Sequence, residues 1–126
     1  MSVRVLLPLN TTVFIHAYTN ALFVQRITLI APDGRRRIFQ GSGEGNIIGS
    51  FVFHTPSRRQ GAQVFPVKVR MEFSSDGGRT FTRSRVIQDR VKFSRVPFKV
   101  IGVFAEDAED EDFNDAIVTF SFRRPI

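Results

Sequence analysis

Seven of the chain's 12 acidic residues fall between positions 106 and 115. The segment reads Phe104-Ala105-Glu106-Asp107-Ala108-Glu109-Asp110-Glu111-Asp112-Phe113-Asn114-Asp115-Ala116-Ile117. Calcium takes six to eight hard oxygen ligands at short range, and alternate carboxylates and amides on a curling loop supply them. Asp110, Asp112 and Asn114 stand at such alternate positions, with Glu106 and Asp115 beside them. The spacing is not that of an EF-hand. Its sixth position holds Asp115 instead of glycine, its twelfth holds Ser121 instead of glutamate, and its flanks read as strands. Carboxylates packed this densely repel one another unless a cation neutralises them. The segment also runs straight into the apolar stretch Ala116 to Phe122, which fixes it close to the core. A bound divalent ion therefore explains it better than a freely solvated loop.

Other chemistry is poorly supported. His16 and His54 are the only histidines, each within a strand pattern. The chain contains no cysteine, no zinc-spaced histidine pair, no P-loop and no Ser-His-Asp set. Paired carboxylates hydrolyse glycosides, but seven acids exceed what that chemistry needs. The sequence reads as a binding protein, not an enzyme.

The elements that must position the acidic segment are strands. Apolar residues alternate with period two, and no stretch keeps a helical stripe over three turns. Val13, Ile15 and Ala17 alternate with Phe14, His16 and Tyr18. Further strand patterns cover Val3 to Leu9, Val24 to Ile30, Arg36 to Gln40, Ile47 to His54 and Val64 to Phe73. Thr80 to Val86, Val91 to Val96, Phe98 to Phe104 and Ala116 to Phe122 follow. Ala31-Pro32-Asp33-Gly34 and Asp76-Gly77-Gly78 are turn sequences between them. The expected fold is all-β: a single domain over 1–126, built as a nine-stranded antiparallel β-sandwich. With 14 phenylalanines, one tyrosine and no tryptophan, its core is built on phenyl rings.

Ser74-Ser75-Asp76-Gly77-Gly78-Arg79-Thr80-Phe81 fits the Asp-box hairpin, which resembles the turns of sialidase propellers. One copy cannot build a propeller of several blades, so the motif reads as a stable turn. Asn10-Thr11-Thr12 is a glycosylation sequon, relevant only in a eukaryotic secretory pathway.

The run Glu106-Asp107-x-x-Asp110-x-Asp112-Phe113-Asn114-Asp115-Ala116-Ile117-Val118 resembles the C-terminal calcium loop of the fucose-binding lectin II family. The family pattern is Glu-Asp-Gly-x-Asp-x-Asp-Tyr-Asn-Asp-Ala-Val-Val; this chain has Ala108 for the glycine and Phe113 for the tyrosine. Leu7-Pro8-Leu9-Asn10-Thr11-Thr12-Val13 to Tyr18-Thr19-Asn20 is similar to the family's first hairpin. Phe39-Gln40-Gly41-Ser42 to Asn46-Ile47-Ile48-Gly49 is similar to a middle strand. The resemblance implies a bacterial β-sandwich lectin in which two adjacent Ca²⁺ ions per chain hold a monosaccharide such as fucose or mannose. It implies Asn20, Glu106, Asp110, Asp112, Asn114 and Asp115 as calcium ligands. Asp107 then accepts a hydrogen bond from the sugar, and Ala21, Leu22 and Phe23 tune sugar preference. Asp110, Asp112, Asn114 and Asp115 also border the sugar through the ions they hold. The implied partners are a monosaccharide or glycan and further copies of the chain, as a homodimer or homotetramer. Two departures stand out. Leu22 and Phe23 are bulky where the family is small or polar, and Pro125-Ile126 replaces a terminal glycine whose carboxylate reaches a neighbouring subunit's calcium.

Outside the acidic segment the charge is overwhelmingly basic: 18 Lys and Arg in all, 15 of them Arg, against five acids. Alternate arginines such as Arg83 and Arg85 read as the solvated face of a half-buried sheet. Nucleic acid is the weaker alternative; the excess of Arg over Lys suits an anionic glycan equally, through bidentate contacts to carboxylate or sulfate. No apolar run approaches the roughly 20 residues of a membrane span. The N-terminus lacks a recognisable signal peptide, so a soluble protein is expected, with its compartment left open.

Overall fold

A computed structural model of the protein describes residues 2–107 and 115–123. Eight strands are seen there: β1 (Ser2–Pro8), β2 (Thr12–Ile30), β3 (Arg36–His54), β4 (Val64–Ser74), β5 (Thr82–Arg83), β6 (Arg85–Lys92), β7 (Phe98–Glu106) and β8 (Ala116–Arg123). The described residues contain no helix. Every ladder is antiparallel, in the order β1-β4-β2-β8-β7-β6, with β3 also on β2 and β5 on β4.

β2 joins the two halves of one eight-stranded sheet. Its first part, Val13 to Thr19, pairs with β8, while its second, Val24 to Ile30, pairs with β4. β3 follows it along nearly the whole length, through register shifts at Ala17/Tyr18, Thr19/Ala21 and Ala21/Gln25. Such shifts bend a strand. The ten strand patterns read in the sequence, expected to form nine strands, thereby become eight among the described residues. Segments 13–18 and 24–30 are joined by a bend into one strand, as are 36–40 and 47–54. Val91 and Lys92 end β6, and the chain then turns into β7 instead of adding a strand. The expected 80–86 segment is likewise divided between β5 and β6.

The alternation read in the sequence sets the core. Val13, Ile15 and Ala17 point inward from β2, meeting Ile101, Val103, Val118 and Phe120. Ile27, Leu29, Val5, Leu7, Val69 and Met71, on β2, β1 and β4, close the same cluster. Gln88 Nε2 donates to the Arg4 carbonyl (2.9 Å) and links the outer strands β6 and β1. Gly49 is required by packing: a β carbon there would lie 2.1 Å from the Phe39 ring.

The Asp-box segment is a self-contained turn. Asp76 Oδ1 accepts from Ser74 Oγ and from the Arg79 and Thr80 amides, while Oδ2 accepts from Thr80 Oγ1. These donors, led by the Ser74 hydroxyl, hold the Asp76 carboxyl well below the usual carboxylate range. Every carboxylate oxygen is used within the hairpin.

Candidate metal centre

The end of β7, the start of β8 and the bend of β2 meet at one point. Ala105 lies opposite Ala116, and Thr19 opposite Ala116 on its other side. The Asp115 amide donates to the Ala105 carbonyl (3.1 Å), and the Asn20 amide donates to the Asp115 carbonyl (3.0 Å). Backbone hydrogen bonds thus place Asn20, Glu106 and Asp115 side by side, although 86 positions separate the first two in sequence.

Glu106 is 2% exposed and Asp115 8%. A carboxylate oxygen from each of Glu106, Asp107 and Asp115 lies within 4.8 Å of the other two. Buried carboxylates this close cannot all stay charged without compensation. The strain shows at Asp107, whose carboxyl is pushed up to about 6, first by burial and then by Asp115. Asp115 Oδ2 also accepts from the Asp107 amide at 2.9 Å.

Gln25, which is fully buried, governs the other side of Asp107. Its Nε2 donates to Asp107 Oδ2 (2.8 Å) and to the Phe23 carbonyl (3.2 Å). The Oε1 of the same amide is buried and has no hydrogen-bond partner among the described residues. Three clustered carboxylates with an orphaned amide oxygen beside them are a hard-oxygen donor set, the chemistry calcium requires.

Asn20 is anchored from β3, its Oδ1 accepting from the Gly45 amide at 2.8 Å. Thr19 Oγ1 donates to the Gly43 carbonyl (3.0 Å), so the bulged part of β3 braces the bend. Ala21 is buried, whereas Leu22 is 91% exposed. Phe23 is part-exposed and stacks on Phe73, ring centroids 6.0 Å apart. The structure therefore brings together Asn20, Ala21, Leu22, Phe23, Glu106, Asp107 and Asp115 from the residues singled out in the sequence. Asp110, Asp112 and Asn114 lie outside the described residues, as do Ala108, Phe113, Pro125 and Ile126. Gln25 was not anticipated. Nothing in the sequence distinguishes it from any other inward position of β2, and its partner Asp107 is 82 residues away.

The sequence profile of the fucose-binding lectin II (PA-IIL) family matches residues 5–124, nearly the whole chain. The chain belongs to this family. It is accordingly a carbohydrate-binding lectin and not an enzyme, and lectins of this family are in general calcium-dependent. Three solved structures share the fold. The high-affinity mannose-binding lectin of Ralstonia solanacearum superposes with a TM-score of 0.75 at 22% identity, covering 98% of this chain and 96% of that one. The Chromobacterium violaceum lectin CV2L, in complex with alpha-methyl-fucoside, gives 0.75 at 20% identity over the same shares. The C-terminal domain of the BC2L-C lectin from Burkholderia cenocepacia gives 0.73 at 22%, covering 100% of this chain and 99% of that domain. No curated protein sequence matches the chain significantly. Among the described residues, no helix is long and apolar enough to cross a membrane.

Proposed function

We propose that the centre at the end of β7 and β8 holds two Ca²⁺ ions and, through them, a monosaccharide of the fucose or mannose type. The burial of Glu106 and Asp115 against Asp107, beside Asn20, is the observation that carries this reading. Glu106, Asp115 and Asn20 are assigned as ligands from the described strands. Asp110, Asp112 and Asn114 complete the set from the segment between them, and carboxylates shared between the ions hold them close together. Bound calcium supplies a charge–dipole attraction for sugar hydroxyls that exceeds an ordinary neutral hydrogen bond.

The chain's own groups do the rest. Asp107, held by Gln25 and by its own amide's bond to Asp115, presents a carboxylate oxygen to a sugar hydroxyl. Leu22 projects into solvent beside Asn20 and offers apolar surface. Phe23, fixed on Phe73, forms a firmer wall. An apolar rim of this kind favours a sugar with a methyl group or an apolar ring face. A homodimer or homotetramer is the proposed assembly, as for the resemblance on which it rests.

Calorimetric titration with methyl fucoside and methyl mannoside tests the reading. Binding is expected with Ca²⁺, is abolished by a chelator, and is lost in Asp115→Ala. Binding that survives the chelator, or an Asp115→Ala variant that binds normally, refutes it.

A further inference from the structure

The arginine excess has a structural focus away from the acidic centre. A cleft of about 690 Å³ opens along β3, between the Ala31–Arg37 turn and the end of β3 near His54 and Pro56. Among the described residues β3 pairs only with β2. Arg36, Arg37 and Arg59 line the cleft together with Phe51, Phe53 and Phe65. It shares no residue with the acidic centre.

The rings form a continuous wall. Phe51 and Phe53 lie 5.9 Å apart on β3, and Phe53 lies 6.0 Å from Phe65 on β4. All three rings are only partly buried. Among the described residues, none of Arg36, Arg37 and Arg59 has an ion-pair partner. Arg35 is paired with Asp33 at 2.7 Å, which accounts for the one carboxylate in the lining. Arg37 sits over Phe51, its guanidinium carbon 4.1 Å from the ring centre. Arg59 makes one long contact, Nη1 to the Val64 carbonyl at 3.5 Å. Arg36 is exposed and has no ion-pair partner among the described residues.

Planar guanidinium forks recognise oxyanions bidentately, and phenyl faces pack against the C–H face of a pyranose. The volume falls within the range of small-ligand sites. We propose that this cleft is a second carbohydrate site, taking a pyranose that carries an oxyanion and binding it without calcium. The oxyanion is held by Arg36 and Arg59 at the mouth, and the ring lies on Phe53. A glycan with a neutral and an acidic residue then meets two different chemistries on one domain.

The test is calorimetric titration of the full chain in chelator with galactose 6-sulfate, glucuronic acid, galactose 6-phosphate, inorganic sulfate and neutral methyl galactoside. The acidic sugars are expected to bind, with the best of them about tenfold or more tighter than inorganic sulfate because the ring adds its contacts. The three acidic sugars separate sulfate, carboxylate and phosphate as the source of the charge. Arg36→Gln with Arg59→Gln is expected to weaken the best ligand by about tenfold or more, the loss of charge-assisted bonds. Arg83→Gln with Arg90→Gln removes the same charge elsewhere and leaves the affinity within about twofold, since exposed distant charges are screened. Circular dichroism checks that both pairs fold. Equal weakening by the two variant pairs, or equal binding of sulfate and sulfated sugar, overturns the proposal in favour of diffuse charge. Failure of every acidic sugar to bind overturns it as well. So does a dimer in chelator that Arg36→Gln with Arg59→Gln dissociates, for the cleft is then covered by a second copy. Calcium-dependent fucoside binding is unaffected by any of these outcomes, so the two sites stand or fall separately.

Discussion

Calcium uptake should be coupled to proton release from Asp107. In the metal-free protein the Asp107 carboxyl is raised from 3.8 to about 6, by burial and by the neighbouring Asp115 carboxylate. A calcium ion held by Glu106 and Asp115, as proposed, repels a proton on Asp107. At pH 7.5 the proton is already gone. At pH 5 about nine-tenths of the molecules hold it, and calcium affinity falls roughly tenfold, about 1.4 kcal/mol. Titration calorimetry at pH 5 and 7.5, in buffers of different ionisation heat, reads affinity and proton release together. About 0.9 proton per chain is expected from Asp107 at pH 5 and almost none at pH 7.5. Asp107→Asn should flatten the dependence. Stability follows with a defined sign: at Asp107 the native metal-free chain binds more protons than the unfolded chain between about pH 4 and 6, so this contribution declines as pH rises through that window. A calcium affinity constant within twofold from pH 7.5 to 5 refutes the reasoning. Undiminished pH dependence in Asp107→Asn does so too.

Three further outcomes are expected. Gln25→Leu removes a donor from the Asp107 carboxylate; its midpoint should climb above 6, and fucoside affinity at saturating calcium should fall about tenfold or more, both readable by NMR titration and calorimetry. Leu22→Ser should cost a methyl-bearing sugar about fourfold in affinity, roughly one buried methylene group, while leaving calcium binding unchanged. Gly49→Ala forces a β carbon into the Phe39 ring and should destabilise the fold by about 1–3 kcal/mol in urea unfolding, because the ring has a packed neighbour in Phe51.

The alternation of Val13, Ile15 and Ala17 was enough to orient the first part of β2, because a strand with one buried face fixes its own register. Of the acidic segment, the sequence placed its ends close to the core, and Glu106 and Asp115 are indeed buried. The bend at 20–23 was not legible. Residues on either side of it look like two separate strands, and only the β3 bulges that pair across it make one continuous strand. Gln25 was hidden by the same bend, for its importance comes from the direction it faces after the turn. The Arg-lined cleft was equally invisible: Arg36 and Arg59 are 23 positions apart and come to line one cleft only through the fold.

The pairing of β2 with both β4 and β8 sets a schedule for the nascent chain. β2 is complete by Ile30, but Val13 finds its partner Phe122 only after more than 90 further residues have been made. Until then one flank of a strand bearing Val13, Ile15 and Ala17 stands open, next to phenylalanine-rich β3. Contacts this distant in sequence form slowly, and open apolar edges are where chains stick to one another. The acidic segment emerges from the ribosome just before the strand that closes this edge, carrying seven negative charges into an otherwise basic chain.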